Sequence, residues 1–311
     1  MVPRFILHAD DIGLSRGITR SIVAAIDEGG VRSVSLICNG LAFDEAIDAL
    51  AVRPHVRVSL HLNLLEGQPL SAAGEVPLLV DGEGALSTTF QDLVRQWIAG
   101  DLVKKQALSE QIKREFTAQL VRGGAALAAL HRPVDQLRID SHTHIHALGF
   151  VLDAVLASRS AVDVGYVRVP REPWHLSPGV DNLKTALGLN TVKWGVLNRL
   201  AGSMTGKLQA ADIRFNPAFL GVLHTGAMTV PAIEAGVAAS LRSLQRAAGD
   251  HGEEAVEVLL HPGKATAAEE DKWRRRPELR AYYRSPHRDL EAQTARELVR
   301  SEVFAAYFEG S

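Results

Sequence analysis

The sequence predicts an α/β protein whose strands form a distorted or incomplete (β/α) barrel of the TIM type. Short apolar segments with strand character alternate with segments whose apolar residues recur at helical spacing, and about seven strands can be counted. This alternation indicates parallel strands joined by helical crossovers. No glycine-rich dinucleotide or phosphate-binding motif follows the first strand, which disfavours an open doubly wound sheet.

The first third of the chain alternates strand and helix. Strands are predicted at 5–8, 31–38 and 56–60 because each is a short apolar run bounded by polar residues or glycine. Ser15 is the expected N-cap of a helix whose isoleucines recur every four residues, and a second helix is predicted at 43–51.

The middle of the chain begins with a long segment rich in glycine and proline, 65–87, which is predicted to be a loop. Long loops in compact domains commonly serve as lids or binding segments. The elements predicted after it are helices at 90–99 and 108–130 and strands at 136–139 and 165–169.

The last part of the chain continues the alternation less regularly. A loop at 170–178 contains Trp174, whose indole could stack on a sugar ring or lie in the core. The remaining predicted elements are helices at 182–187, 192–204 and 230–248 and strands at 213–215, 221–224 and 256–260.

Composition excludes several classes of protein. The 311 residues are 46% hydrophobic, enough for a sizeable core, and the formal net charge of −2 does not favour nucleic acid as a partner. The basic run 272–276 is expected to be a solvated surface. Cys38 is the only cysteine, so no intrachain disulfide can form. Without an apparent signal peptide or membrane-spanning run, we expect a cytoplasmic protein.

Charged and imidazole side chains follow several of the predicted strands. In a barrel the carboxyl ends of the strands meet on one face, so these side chains would converge there. The residues at such positions are Asp10, Asp11, His61, His142, Arg168 and His261. One carboxylate and two imidazoles from separate strands suit Zn²⁺ or another divalent ion.

The two adjacent acids suggest a division of labour. Successive side chains of a strand point in opposite directions, so one carboxylate could bind a metal while the other takes a proton from water as general base. With a protonated histidine opposite, this arrangement describes amide hydrolysis. His142, His144 and His146 would share one face if the strand continued through them.

Simpler interpretations exist for each of these residues. The paired acids could cap the following helix, and His61 alone could be a structural histidine. The three alternating histidines could be a surface tract that binds metal adventitiously. His261 could belong to a turn, and Arg168 could hold a structural carboxylate as readily as a substrate.

Four motifs in this order resemble those of the YdjC-like carbohydrate deacetylases, a family that includes chitooligosaccharide deacetylase and a hopanoid-biosynthesis-associated branch. The motifs are the run 9–15, the run 59–64 leading to 66–70, the histidine-rich run 140–146, and His261-Pro262-Gly263. The segments 167–173 and 223–228 look closer to the hopanoid-associated branch. The resemblance implies one barrel domain over residues 1–311 that removes an acetyl group from an N-acetylated sugar or glycolipid head group.

The resemblance also implies roles for individual residues. Asp11, His61 and His142 match the metal ligands, Asp10 matches the base, and His261 falls where a general acid is expected. The metal would be Zn²⁺ or Mg²⁺, with Co²⁺ or Ni²⁺ as alternatives. We further predict substrate contacts from His144, His146, Arg168 and Trp174. The partner would be a small saccharide or glycolipid; the sequence leaves a homo-oligomer open.

Two other functions fit the same residues. Amidohydrolases also use His-x-His at a strand end, although there the pair normally opens the chain, whereas here it begins at His142. A non-catalytic carbohydrate-binding barrel is the other alternative, but such a module has no need of a paired base and metal site.

Overall fold

Seven parallel strands form one sheet in the computed structural model, which describes residues 3–178, 184, 188–246 and 254–309. Their order across the sheet is β5-β4-β3-β2-β1-β7-β6. The strands are β1 (Phe5–Ile12), β2 (Val31–Leu36), β3 (Arg57–Leu62), β4 (Leu137–Ser141), β5 (Val164–Val167), β6 (Phe219–Leu220) and β7 (Val256–Leu260).

The segment that leads into β6 joins the two edges of the sheet. Arg214 exchanges backbone hydrogen bonds with β5, donating to Gly165 O (3.1 Å) and accepting from Val167 N (3.0 Å). Five residues later Phe219 N donates to Arg171 O (2.8 Å) while β6 pairs with β7. The sheet is therefore curled into an irregular half-barrel, which confirms the predicted distorted (β/α) barrel.

Helices cover the outside of the sheet, and one cluster of buried apolar side chains lies between them and the strands. The α-helices in the described part of the chain are α1 (Arg16–Glu28), α2 (Phe43–Ala51), α3 (Phe90–Ala99), α4 (Leu102–Ala129), α5 (Gly149–Ala157), α6 (Leu189–Ala210), α7 (Val230–Arg246), α8 (Pro277–Tyr283), α9 (Pro286–Leu298) and α10 (Glu302–Tyr307). None of the described helices combines the length and apolar character needed to cross a membrane.

Local sequence explains the best-predicted elements. The Ser15 side chain accepts a hydrogen bond from Ile18 N at the start of α1, and the isoleucine face of that helix is buried. Thr89 and Asp92 form a capping box that fixes the start of α3.

Other elements differ from prediction in their bounds. α4 begins at Leu102, six residues before the predicted start, because the Asp101 side chain caps it by accepting from Lys104 N. β6 occupies Phe219–Leu220, two residues before the predicted strand at 221–224. The predicted strand at 213–215 is reduced to a single bridge, and the predicted helix at 182–187 lies outside the described residues except for Lys184.

The long glycine-rich segment is more ordered than a plain loop. It contains a 3-10 turn at Ala73–Glu75 and an isolated bridge between Val80 and Leu86. The apolar side chains of Val76, Leu79 and Leu86 are buried, so the segment packs against the barrel.

Candidate metal centre and active site

Both acids of β1 lie at the carboxyl end of the strand, where its regular geometry breaks. Pairing with β2 passes from Ala9 opposite Val34 to Ile12 opposite Leu36, so β1 contains one extra residue, and Asp11 has a φ of 76°. This is a β-bulge, which re-aims the side chains beside it.

The bulge corrects the expectation that the two carboxylates point in opposite directions. Both approach the same imidazole: Asp10 Oδ2 lies 3.9 Å and Asp11 Oδ1 lies 3.8 Å from His61 Nε2. The simple alternation of a flat strand therefore does not apply at this site.

Three buried groups from three strands or their ends come together here. Asp11 Oδ1, one His61 nitrogen and one His142 nitrogen lie within 4.8 Å of one another. Asp11 Oδ1 is 3.2 Å from His142 Nδ1, yet this buried oxygen has no hydrogen-bond partner among the described residues. One carboxylate and two imidazoles are a donor set that Zn²⁺ and similar ions accept, and the orphaned oxygen needs a positive partner. The residues therefore fit a divalent cation.

Two of the candidate ligands, His61 and Asp11, are oriented by a hydrogen bond to another buried residue. His61 Nδ1 donates to Asp140 Oδ1 (2.6 Å), which leaves Nε2 for a cation. Arg288 donates to Asp11 Oδ2 (3.0 Å). Burial alone would raise the pKa of Asp11, but the guanidinium of Arg288 helps to hold it far below its usual value. Asp11 is consequently ionised.

A buried arginine organises the other acid. Arg168 makes two parallel bonds to Asp10, each 3.0 Å, and also contacts Asp140 Oδ2 (2.8 Å) and Glu257 Oε2 (2.6 Å). Against the effect of burial, Arg168 and nearby imidazoles hold the pKa of Asp10 well below its ordinary value. Asp10 is thus an oriented carboxylate beside the triad.

A second cluster of ligand-type groups, formed by His8, Asp10 and Asp140, lies next to the first. Both of its carboxylates are already paired with the guanidinium of Arg168. Both nitrogens of His8 are engaged as well, with the hydroxyls of Ser33 (2.8 Å) and Ser35 (2.7 Å). This second cluster does not fit a cation.

Two of the residues predicted to contact substrate, Arg168 and His146, are fully buried. Arg168 pairs with Asp10, Asp140 and Glu257. His146 is buried between the Ser141 hydroxyl and Arg168 O, to which its Nε2–H donates (2.8 Å). Both side chains are engaged with other residues, and their contact with a substrate stays a prediction.

The histidine-rich run does not continue as a strand. His142–Ala147 is a 3-10 turn in which Thr143 and His144 have positive φ, so the three histidines do not share a face. His144 lies against the Phe219 ring, 5.4 Å between centroids, and its buried Nδ1 has no partner among the described residues. It remains a candidate for substrate contact.

The remaining two predicted residues are partly exposed. The His261 side chain is 17% exposed, and its Nδ1 lies 3.6 Å from Glu291 Oε2. Trp174 is 43% exposed and packs edge-to-face on Trp194, with centroids 5.1 Å apart. Both side chains are therefore accessible from solvent.

Comparison with known proteins decides the family. The family model described as YdjC-like protein matches residues 4–307. The chain belongs to the YdjC-like family. Among its relatives, "Carbohydrate deacetylase" of Brevibacillus brevis is 36% identical over 55% of this chain and 60% of its own length, and that of Halalkalibacterium halodurans is 33% identical over 46% and 54%. Thus the chain spans little more than half of these two relatives.

More distant relatives cover more of the YdjC-like chain. The mouse protein of the same name, from Mus musculus, is 27% identical over 84% of this chain and 78% of its own length. A solved structure from Enterococcus faecalis, whose name refers to cellobiose-phosphate cleavage, aligns over 99% of this chain and 97% of its own with a TM-score of 0.61. At 19% identity this likeness shows the shared fold alone.

Sequence reasoning missed several residues of this YdjC-like site. Asp140 and Glu66 lie within the quoted motifs but had no role assigned. Tyr283, Arg288 and Glu291 lie in the helices after β7, where no motif was found. The basic run also differs from expectation, because Trp273 within it is buried and its indole N–H donates to Glu66 Oε2 (2.5 Å).

Because His146 is buried, we expect the free energy of unfolding to fall in acid. Burial lowers its pKa to about 4, despite its bond to Arg168 O, whereas an unfolded histidine has a pKa of about 6.5. Between these values the unfolded chain binds more protons, so this contribution to stability is fully present above about pH 6.5 and is lost progressively as the pH falls from about 6.5 to about 4. We expect this group to lower the free energy of unfolding by about 2 kcal/mol between about pH 7 and 5.

Urea unfolding of the parent and of His146→Asn at both pH values measures this contribution. The variant should show a smaller loss of stability on acidification, while a matched change at the exposed His55, His55→Asn, should leave the loss unchanged. Equal pH dependence in parent and His146→Asn would contradict the assignment.

Proposed function

We propose that this chain is a metal-dependent hydrolase that removes the acetyl group from an N-acetylated amino sugar, oligosaccharide or glycolipid head group. The observation that carries the proposal is the orphaned Asp11 Oδ1, which faces His61 and His142 beside the oriented carboxylate of Asp10. Relatives named carbohydrate deacetylase support the reaction type. Membership of the hopanoid-associated branch stays a prediction.

Asp11, His61 and His142 would hold the cation, with Zn²⁺ or Mg²⁺ expected first and Co²⁺ or Ni²⁺ as alternatives. A cation bound there would supply Lewis acidity, lowering the pKa of a water molecule and polarising the acetamide carbonyl. Asp10 would accept the proton of the attacking water, because Arg168 keeps it ionised and fixes its orientation through two hydrogen bonds.

His261 would return a proton to the leaving nitrogen. Its Nδ1 faces Glu291, so Nε2 is the nitrogen left to donate. Water oxygen forms the new bond to the carbonyl carbon, the C–N bond breaks, and the amine leaves with the proton from His261. Acetate and a free amino sugar are the products.

The substrate would enter beside His144 and Trp174. An exposed indole can stack on the apolar face of a sugar ring, and His144 presents a polar edge next to Phe219. We propose one barrel domain over residues 1–311 and, since the single thiol of Cys38 is buried and unpaired, a cytoplasmic location.

Acetate release tests the proposal. Purified protein would be stripped with a chelator, reloaded with Zn²⁺ or Mg²⁺, and offered a panel of N-acetylated saccharides and glycolipids. We expect release from at least one substrate in the reloaded protein and none in the stripped protein. A folded, metal-bound protein that released no acetate from any member of the panel would overturn the proposal.

A further inference from the structure

The two imidazoles of the candidate metal centre use different ring nitrogens. His61 presents Nε2 and bonds Asp140 directly through Nδ1. His142 presents Nδ1, 3.2 Å from Asp11 Oδ1, while its Nε2 lies 3.0 Å from the hydroxyl oxygen of Tyr283. The outer nitrogen of His142 thus has a hydroxyl where that of His61 has a carboxylate.

A carboxylate stands behind this hydroxyl. The Tyr283 hydroxyl donates to Glu66 Oε1. The side chains of His142, Tyr283 and Glu66 are all buried. The other oxygen of Glu66 accepts from the indole N–H of Trp273 and lies 3.7 Å from Lys272 Nζ. An indole N–H can only donate, and the lysine favours negative charge, so Glu66 is an acceptor on both sides.

The direction of the protons follows from this arrangement. Because Glu66 accepts, Tyr283 must direct its single proton toward it, and the tyrosine oxygen is then free to accept from His142 Nε2–H. A neutral imidazole carries one proton, so His142 Nδ1 is left with its lone pair facing Asp11.

We propose that Tyr283 and Glu66 are positioning residues that fix His142 in the Nε2–H tautomer and so present Nδ1 to the cation. The inference rests on the metal centre of the proposed function and assigns it two further residues, one from the loop after β3 and one from the end of α8. Groups that orient a metal-binding histidine typically change metal affinity by about 10–100-fold when removed.

We call the hydrogen-bonded series His142, Tyr283 and Glu66 the relay. Two substitutions test it, one by removing the tyrosine hydroxyl and the other by reversing the direction of its proton. Tyr283→Phe keeps the ring that packs on Trp273, 4.7 Å between centroids, and removes only the hydroxyl. Glu66→Gln reverses the relay: the amide oxygen must face the Trp273 N–H, so the NH₂ group faces Tyr283. The tyrosine proton then turns toward His142 Nε2, which favours the Nδ1–H tautomer.

Long-range ¹H–¹⁵N spectra of histidine-labelled, metal-free protein, recorded well above the ordinary imidazole pKa, report the tautomer. Competition with a chromogenic chelator reports the affinity for Zn²⁺. We expect Nε2–H at His142 in the parent, a mixture in Tyr283→Phe and Nδ1–H in Glu66→Gln, with Zn²⁺ affinity about 10–100-fold lower in both variants.

Tyr282→Phe is the matched control. Its ring packs on that of Tyr283, 5.2 Å between centroids, but among the described residues its hydroxyl has no hydrogen bond to a candidate ligand. It should keep the parent's tautomer and affinity. Far-UV circular dichroism and urea unfolding midpoints would be measured to check that all three variants fold.

The outcomes separate this inference from the proposed function. An unchanged tautomer and unchanged Zn²⁺ affinity in both relay variants would overturn the relay, whether or not the parent releases acetate. A tautomer that reverses in Glu66→Gln, with weaker Zn²⁺ binding, would support the relay even if no panel substrate were deacetylated.

Discussion

Replacing Asp10 with asparagine is expected to lower the rate of acetate release by about 10²–10⁴-fold, because an amide of the same shape cannot accept the proton of water. Zn²⁺ affinity should stay close to the parent's, since Asp10 is not among the three proposed ligands. Steady-state rates at saturating Zn²⁺, with chelator competition on the same samples, measure both quantities.

Asp27→Asn provides a matched control for this change. Asp27 also makes two bonds to an arginine, Arg53 (2.7 and 2.6 Å), but at the surface and away from the proposed site. Its loss should leave the rate unchanged. A folded, Zn²⁺-bound Asp10→Asn protein that kept the parent's rate would remove Asp10 from the mechanism.

Replacing Arg168 with methionine should lower the free energy of unfolding by about 3–5 kcal/mol, because it leaves three buried carboxylates without their cation. Those carboxylates are Asp10, Asp140 and Glu257. Urea unfolding near neutral pH measures the loss.

Arg214→Met is the control for the arginine change. Arg214 pairs with Glu254 (3.0 Å), but its side chain is half exposed, and exposed ion pairs contribute about 0–1 kcal/mol. If Arg168→Met cost no more than Arg214→Met, the buried network would not be a major source of stability.

The parts of the site that could be predicted from sequence are those set by strand ends. Asp11, His61 and His142 follow or end apolar runs, and parallel strands bring such positions together. The direction of each side chain could not be predicted, because alternation along a strand fails at the bulge of Asp11 and in the turn after Ser141.

The roles of the residues that surround the proposed ligands could not be predicted from sequence, for a different reason. Arg168 was placed correctly at a strand end, but its role depends on three acids far away in the chain, and local pattern does not reveal partners. Tyr283 and Glu291 lie on helices. The spacing of apolar residues predicts that such helices form, but it does not predict that these two side chains contact the site. The fold was easier, because strand and helix alternation alone implies a barrel.

The order of these residues along the chain has a consequence for biosynthesis. All three proposed ligands lie in the first half of the sequence, whereas two of the groups that orient or neutralise them, Tyr283 and Arg288, lie in its last tenth. A ribosome therefore completes the ligand-bearing strands while the charges of Asp11 and Glu66 still lack their partners. We expect the mouth of the barrel to stay loosely organised during translation and to become rigid only when the final helices dock.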